Sequence, residues 1–257
     1  MNRFSIMAAG AKGSGKSSFF NNLVGKQIIT DDQQDEINVY MLNLDCEGVV
    51  QKITFIDTPG FDSSNNESIQ TSILNFIKEQ FDLFMAEENK IRRNPLYEDT
   101  RVHCLLYFLP STGYGLKQTD LHFLRSIKHL VNIIPVLSKA DGLTPEETER
   151  YKKLIRAQFD EHSIPIFNMH PSQSLETGIN LNEIVPFSVI SGENKVKEIN
   201  GYSIEVDNPN FNDLSVLREA LLSLYLDSLM EVTANELYEQ YRTRALEDVV
   251  GDKETIL

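Results

Sequence analysis

Apolar positions along this chain fall into two alternating rhythms, short continuous runs and stripes spaced three to four residues apart. That alternation predicts strands and helices in turn. Phe4 to Ala9 reads as a strand, followed by a helix from Lys16 to Leu23. Ile37 to Leu44 and Val50 to Ile56 flank Glu47-Gly48 and predict a hairpin. Ile69, Ile73, Phe76, Ile77 and Phe84 mark one face of a long helix ending near Lys90. Val102 to Leu109 is almost unbroken apolar sequence, the signature of a central strand covered on both faces. Leu121, Leu124, Ile127 and Leu130 place a helix over Thr119 to Leu130, and Asn132 to Leu137 predicts the next buried strand. Thr144, Pro145 and Glu147 combine a cap, a first-turn proline and a box glutamate, so a helix should start there and run to about His162. A short strand closing at Phe167, a polar loop from Met169 to Ile184 and a last core strand from Val185 to Ile190 follow. Two helices, about Asp213 to Leu229 and Glu231 to Val249, finish the chain. The stripe Leu214, Leu217, Leu221, Leu224 is expected to pack into the core. The sum is an α/β fold: three layers, α/β/α, around a mixed, mostly parallel sheet, with extra C-terminal helices.

Three loops in this pattern carry chemistry. Gly10-Ala11-Lys12-Gly13-Ser14-Gly15-Lys16-Ser17 joins the first strand to the first helix and fits the phosphate-loop pattern. Its glycines let backbone N–H groups close around a polyphosphate, with the helix N-terminus favouring the anion. Gly10, Lys12, Gly13, Ser14, Gly15, Lys16, Ser17 and Ser18 are therefore candidate nucleotide-binding residues, with Lys16 reaching the β- and γ-phosphates. Asp57-Thr58-Pro59-Gly60 supplies a carboxylate and a backbone N–H for the γ-phosphate. Ser17 and Asp57 are the candidate Mg²⁺ residues. Ser138-Lys139-Ala140-Asp141 follows the strand from Asn132, at the sheet edge where ligands bind in open α/β folds. Asp141 can accept hydrogen bonds from guanine N1–H and the exocyclic amine, a donor pair that adenine lacks, while Lys139 covers the base plane. GTP or GDP with Mg²⁺ is the expected ligand, in a P-loop GTPase-like fold.

Composition narrows the partners. With 24 basic and 38 acidic residues the net charge is −14, which disfavours nucleic acid and anionic lipid as general partners. The compact basic patch Lys90-Ile91-Arg92-Arg93 fits a solvated helix end that complements the dipole as well as it fits a contact surface. Cys46 and Cys104 lie in apolar stretches without metal-ligand spacing and read as reduced core residues of a cytosolic protein. No apolar run is long enough to cross a membrane, and no signal peptide opens the sequence.

Beyond the nucleotide loops, longer stretches resemble septins. Arg92-Arg93-Asn94-Pro95 and Asp99-Thr100-Arg101-Val102-His103-Cys104 are septin-like. Ser111-Thr112-Gly113-Tyr114-Gly115-Leu116-Lys117 and Val131-Asn132-Ile133-Ile134-Pro135-Val136 are similar to septin segments, as are Glu205-Val206-Asp207-Asn208-Pro209 and Tyr238-Glu239-Gln240-Tyr241-Arg242-Thr243. The likeness covers nearly the whole chain and is greatest to the fungal-type branch. It implies a GTP-binding domain over 1–250, with 251–257 as a short tail. It implies a cytoskeletal protein that assembles with other septins or with itself through nucleotide-side and terminus-side interfaces. It also implies residence in the cytoplasm, at a septin ring or the cell cortex, and includes Ser191 and Gly192 among the nucleotide contacts. Tyr114, the Gly142 to Glu147 segment and the C-terminal helices are the expected contact regions.

The departures carry expectations too. The basic N-terminal helix and C-terminal coiled coil of many septins have no counterpart here, which argues against direct membrane binding. The chain contains no tryptophan, whereas the family's nucleotide-side interface usually includes a Tyr-Pro-Trp-Gly segment. Lys195 and Lys197 are the candidates to replace the arginine that usually packs on guanine, and Tyr114 stands where a histidine is usual. Gly60 is followed by Phe61, which cannot orient a water, and Thr30 is the only threonine in the loop before the second strand. Slow or absent hydrolysis is therefore expected, with Thr30 as the one catalytic candidate. A small-GTPase-like switch, cycling by hydrolysis as a monomer or transient dimer, is the alternative reading.

Overall fold

The computed structural model describes residues 3–29, 36–46, 49–62, 64–169, 180–190, 196–199, 202–205 and 212–254. In chain order they form β1 (Phe4–Gly10), α1 (Lys16–Val24), β2 (Asn38–Cys46), β3 (Val49–Asp57), α2 (Asn66–Glu88) and β4 (Cys104–Pro110). Then come α3 (Gln118–Ile127), β5 (Asn132–Ser138), α4 (Pro145–Glu161), α5 (Leu181–Ile184), β6 (Phe187–Val189), β7 (Val196–Ile199) and β8 (Tyr202–Glu205). The last helices are α6 (Leu214–Glu219), α7 (Leu226–Val232) and α8 (Tyr238–Glu254).

Six strands make the main sheet in the order β2-β3-β1-β4-β5-β6. All neighbours are parallel except β2, which runs antiparallel to β3 as the predicted hairpin. β1 shows why the sheet is covered on both sides. Its Phe4, Ile6 and Ala8 join a core with α1 and the late helices. Its Met7 and Ala9 join a second core with α2, α3 and α4. A strand buried on both faces reads as a continuous apolar run, as β1, β4 and β5 do. The α/β/α layering and mostly parallel sheet are as expected from sequence.

Local signals held where their chemistry is short-range. Thr144 caps α4: its Oγ1 accepts from Glu147 N–H at 3.3 Å, and Glu147 Oε2 accepts from Thr144 N–H at 2.8 Å. Leu214, Leu217 and Leu221 are fully buried in the first core, so that stripe is packing surface. The Lys90–Arg93 patch closes α2. Lys90 pairs with Glu87 at 2.6 Å, and Arg93 Nε donates to the Glu88 carbonyl at 3.2 Å.

Four elements differ from expectation. Phe167 belongs to no strand; its segment is joined to β5 through Phe167 N–H donating to Ile133 O at 2.9 Å. The expected polar loop ends in a helical turn, α5, started by Asn180 accepting from Asn182 N–H. The stretch after residue 195 contains a two-stranded antiparallel ribbon, β7–β8, which was not expected. The late helices break at Tyr225 (φ −116°) rather than near Met230, after a π-helical turn over Ala220–Leu224. A second π turn, Thr233–Leu237, carries α7 into α8, which runs to Glu254.

Candidate functional site

Parallel pairing brings three strand ends to one edge of the sheet. Gly10 of β1 is level with Phe108 of β4, and Phe108 with Val136 of β5. The phosphate loop and the Lys139 turn therefore emerge two strand spacings apart, roughly 10 Å. On the other side, Ala8 pairs with Asp57 at the end of β3.

The loop after β1 is shaped by glycines. Gly13 (φ 70°) and Gly15 (φ 82°) take the left-handed conformation, which costs glycine nothing. Gly15 caps α1, whose first intrahelical bond here runs from Phe19 N–H to Gly15 O at 2.8 Å. Helix geometry leaves the N–H groups of Lys16, Ser17 and Ser18 directed out of the helix end. Ser14 N–H instead donates within the loop, to Ala11 O at 3.2 Å. The Ser14 hydroxyl is buried and has no hydrogen-bond partner among the described residues.

Lys16 is the buried cation of the loop. Its Nζ donates to the carbonyls of Gly10 (3.3 Å) and Ala11 (3.2 Å). Burial pulls its ammonium from 10.5 down to about 8, with the Asp57 carboxylate opposing that shift. Carbonyl oxygens are weak partners for an ammonium, and an anionic oxygen in their place restores the charge.

Ser17 and Asp57, on different elements, meet: Ser17 Oγ donates to Asp57 Oδ2 at 2.7 Å. Among the described residues no group of three or more His, Cys, Asp or Glu could hold a metal. A hydroxyl and a carboxylate can bind Mg²⁺ only with phosphate oxygens and water completing the octahedron, a common mode for that ion.

The Asp57 loop is pinned to the phosphate loop. Thr58 Oγ1 donates to Ala8 O at 2.8 Å, Phe61 N–H to Gly10 O at 3.0 Å, and Lys12 N–H to Phe61 O at 2.9 Å. A Cβ on Gly60 would collide with the Lys12 backbone, at 2.8 Å from its nitrogen, so only glycine fits. Phe61 points away into the second core, its ring 5.2 Å from Phe123. A cleft of about 280 Å³ opens beside Ala11 and Phe61, reaching Asp62, Lys117 and Asp120.

The base-side turn is equally fixed. Ser138 Oγ donates to Leu109 O at 3.1 Å and Ser111 Oγ to Ser138 O at 2.8 Å. Lys139 holds φ 54°, unusual for a side-chain-bearing residue, and starts a single 3₁₀ turn over Ala140–Gly142 that carries Asp141. Strain held at a strand end by flanking hydrogen bonds is a feature of ligand sites.

Sequence reasoning missed the supporting residues. Asn21 Oδ1 accepts from Ile28 N–H (2.7 Å) and Ile29 N–H (2.8 Å), tying the chain after α1 back onto that helix. Asp120 accepts from Tyr107 OH at 2.7 Å and from Lys117 N–H at 3.0 Å, fixing the loop after β4. A lone Asn or Asp at such positions carries no sequence signal, because its partners are backbone groups or distant side chains. Tyr114 stands in that same loop and is 90% exposed. Thr30, Ser191, Gly192 and Lys195 lie outside the described residues. Lys197 falls within β7.

Comparison with known proteins agrees with this geometry. A family model described as Septin matches residues 2–254. A protein named cell division control protein 11, from Encephalitozoon cuniculi, is 51% identical over 254 residues, covering 95% of both chains. The Saccharomyces cerevisiae protein of the same name is 38% identical, over 95% of this chain and 66% of that one. The crystal structure of Cdc11 from Saccharomyces cerevisiae aligns over 95% of this chain and 99% of that chain, with TM-score 0.67 at 34% identity. The septin GTPase domain of Chlamydomonas reinhardtii matches in fold, covering 94% of this chain and 98% of that chain, with TM-score 0.75 at 18% identity. This chain belongs to the septin family, the guanine-nucleotide-binding cytoskeletal proteins that form oligomers and filaments.

Proposed function

We propose that this protein is a GTP- or GDP-binding septin subunit that assembles with other septins, or with itself, in cell division, and that it hydrolyses GTP slowly if at all. The observation that carries the nucleotide reading is the 2.7 Å contact between Ser17 and Asp57 beside the buried Lys16 ammonium. Three separate sequence segments emerge at one sheet edge, an arrangement that supports this ligand. Lys16 and the N–H groups at the start of α1 hold phosphate, and Ser17 with Asp57 holds Mg²⁺. Gly60 N–H meets the γ-phosphate, Asp141 reads guanine and Lys139 covers its plane. The ion, when bound, neutralises phosphate charge.

Slow hydrolysis rests on Phe61. Its side chain is 8% exposed and packs on Phe123, so the position after Gly60 offers no group to orient water. Assembly rests on family membership and on exposed Tyr114, with the Gly142 to Glu147 segment and the C-terminal helices as further contact regions. The division-related relatives support a cytoplasmic location at a septin ring or the cell cortex.

Calorimetry with GTP, GDP and ATP, followed by sedimentation of the loaded protein, tests the whole reading. Guanine nucleotides should bind at least a hundredfold tighter than ATP, because adenine lacks the donor pair that the Asp141 carboxylate accepts from guanine, a loss of roughly 1–3 kcal/mol or more per group. Equal affinities would remove the base assignment. A monomer at high concentration with either nucleotide and with candidate septin partners would remove the assembly assignment.

A further inference from the structure

The phosphate loop holds two lysines, and only Lys16 has a part in the usual reading of such loops. Lys12 differs from it in every structural respect. Its side chain is exposed, at the tip of the loop, whereas Lys16 is buried beneath it. Its backbone is locked to the Asp57–Phe61 segment rather than to α1. Lys12 N–H donates to Phe61 O at 2.9 Å, Ala11 bridges Phe61, and Gly60 lies so close that it has no room for a Cβ. The Lys12 Cα is therefore fixed against the glycine whose N–H faces the third phosphate.

We propose that Lys12 is a specificity-determining residue that makes the site favour the triphosphate over the diphosphate, by placing a second ammonium where only a γ-phosphate brings charge. This rests on the guanine-nucleotide reading above and deepens it. The stem of a lysine spans roughly 6 Å, so an ammonium anchored beside Gly60 covers the Gly60 side of the loop and not the α1 end. A diphosphate is held at that α1 end by Lys16 and the helix N–H groups. Adding the third phosphoryl group brings further negative charge to the Gly60 side, where the Asp62 carboxylate also stands. Lys12 is the exposed cation of the loop that offsets this charge. The Asp62 carboxyl is held below its usual value, chiefly by hydrogen bonds from Ser64 and in smaller part by the Lys12 charge. Asp62 Oδ1 accepts from the N–H and the hydroxyl of Ser64, and Asn65 Oδ1 accepts from Asp62 N–H, in the turn leading into α2. Phosphate oxygens carry more charge than one carboxylate, so the exposed Lys12 ammonium pairs with the γ-phosphate when GTP is present. Arginine serves the same electrostatic purpose, while methionine keeps the stem and loses the charge.

The test is the ratio of GTP to GDP dissociation constants, measured with Mg²⁺ by displacement of a fluorescent guanine nucleotide. Wild type, Lys12→Met and Lys12→Arg are compared, each checked for native circular dichroism. Lys12→Met should weaken GTP about tenfold and GDP less than about twofold, from the loss of one charge-assisted contact. Lys12→Arg should restore most of the GTP affinity. The GTP affinity of the wild type should also fall more steeply with salt than that of Lys12→Met. An unchanged GTP/GDP ratio in Lys12→Met, or equal weakening of both nucleotides, overturns this proposal and leaves the guanine-nucleotide reading standing. A wild type that binds neither nucleotide overturns that reading, and this proposal with it.

Discussion

At the scale of single residues, the site is defined by a conflict that the fold tolerates. Among the described residues Lys16 has two carbonyls on its ammonium, and burial lowers its pKa to about 8. The unfolded chain keeps the lysine near 10.5, so the charged folded form is disfavoured below about pH 8 and the penalty fades as pH rises between those values. Lys16→Met should therefore stabilise the nucleotide-free protein at pH 7, by on the order of 1–3 kcal/mol, while abolishing nucleotide retention. The gain should shrink toward pH 10. Urea unfolding of stripped protein at pH 7 and pH 10, with mass analysis of extracted nucleotide, checks both arms. A variant less stable than wild type at pH 7 would mean that the ammonium is structural rather than held ready for an anion. The lysine itself was legible from the loop pattern, since Gly13, Gly15, Lys16 and Ser17 are local in sequence. Asn21 and Asp120 were not, because each acts through backbone or tyrosine partners that folding alone brings near.

Elements show the same division between local and long-range information. β1, β4, β5 and the capped start of α4 were readable, since burial on two faces and a capping box write themselves into consecutive residues. The break at Tyr225 was not, because a π turn shifts the phase of a stripe without changing its composition. The ribbon β7–β8 was missed for a related reason, four-residue strands being too short to show a period. One long-range device joins α2, β4 and α8. Arg101 lies 3.7 Å over the Phe84 ring and 5.0 Å from the Tyr238 ring. It holds Asp99 through a fork of bonds, with Nη2 to Oδ2 at 2.6 Å. Tyr238 OH donates to Glu88 at 2.6 Å, closing the joint between α8 and α2. Ser5 N–H donates to Nδ1 of His103, so the ring's remaining nitrogen, 3.9 Å from Asp99, faces the carboxylate. Burial pushes Asp99 upward, but His103 and Arg101 more than reverse that, leaving its carboxyl well below 3.8. A depressed folded pKa gives stability that is complete above 3.8 and is lost as pH falls below it. Asp99→Asn should cost about 3 kcal/mol at pH 7, because Arg101 stays buried without its partner. It should also flatten the acid limb of the stability curve. Urea midpoints at pH 7, 5 and 3 for both proteins measure this, and parallel curves would show that Asp99 titrates no differently in the folded state.

For the whole molecule, the position of the site matters more than any one contact. Gly10 ends β1, Asp57 ends β3 and Ser138 ends β5, so the candidate ligand spans strands that feed both hydrophobic cores. A ligand bridging these ends has to leave before the sheet can open, which couples its affinity to global unfolding rather than to fraying of a loop. Binding to the folded state alone adds about 2.7 kcal/mol at a hundredfold excess over Kd. In a chain of this size each kcal/mol moves the midpoint by about 2–4 °C. GTP or GDP with Mg²⁺ at that excess should therefore raise Tm by about 5–10 °C, measured by scanning calorimetry on stripped protein. ATP at the same concentration should shift it by less than about 1 °C. Because the two cores share β1, β4 and β5, the transition should remain single with and without ligand. Removing the metal with a chelator should take away a large part of the GTP shift, since Ser17 and Asp57 then face phosphate without a cation between them. An ATP shift equal to that of GTP would sink the base assignment. A guanine shift confined to one of two separate transitions would sink the claim that the site ties the two cores together.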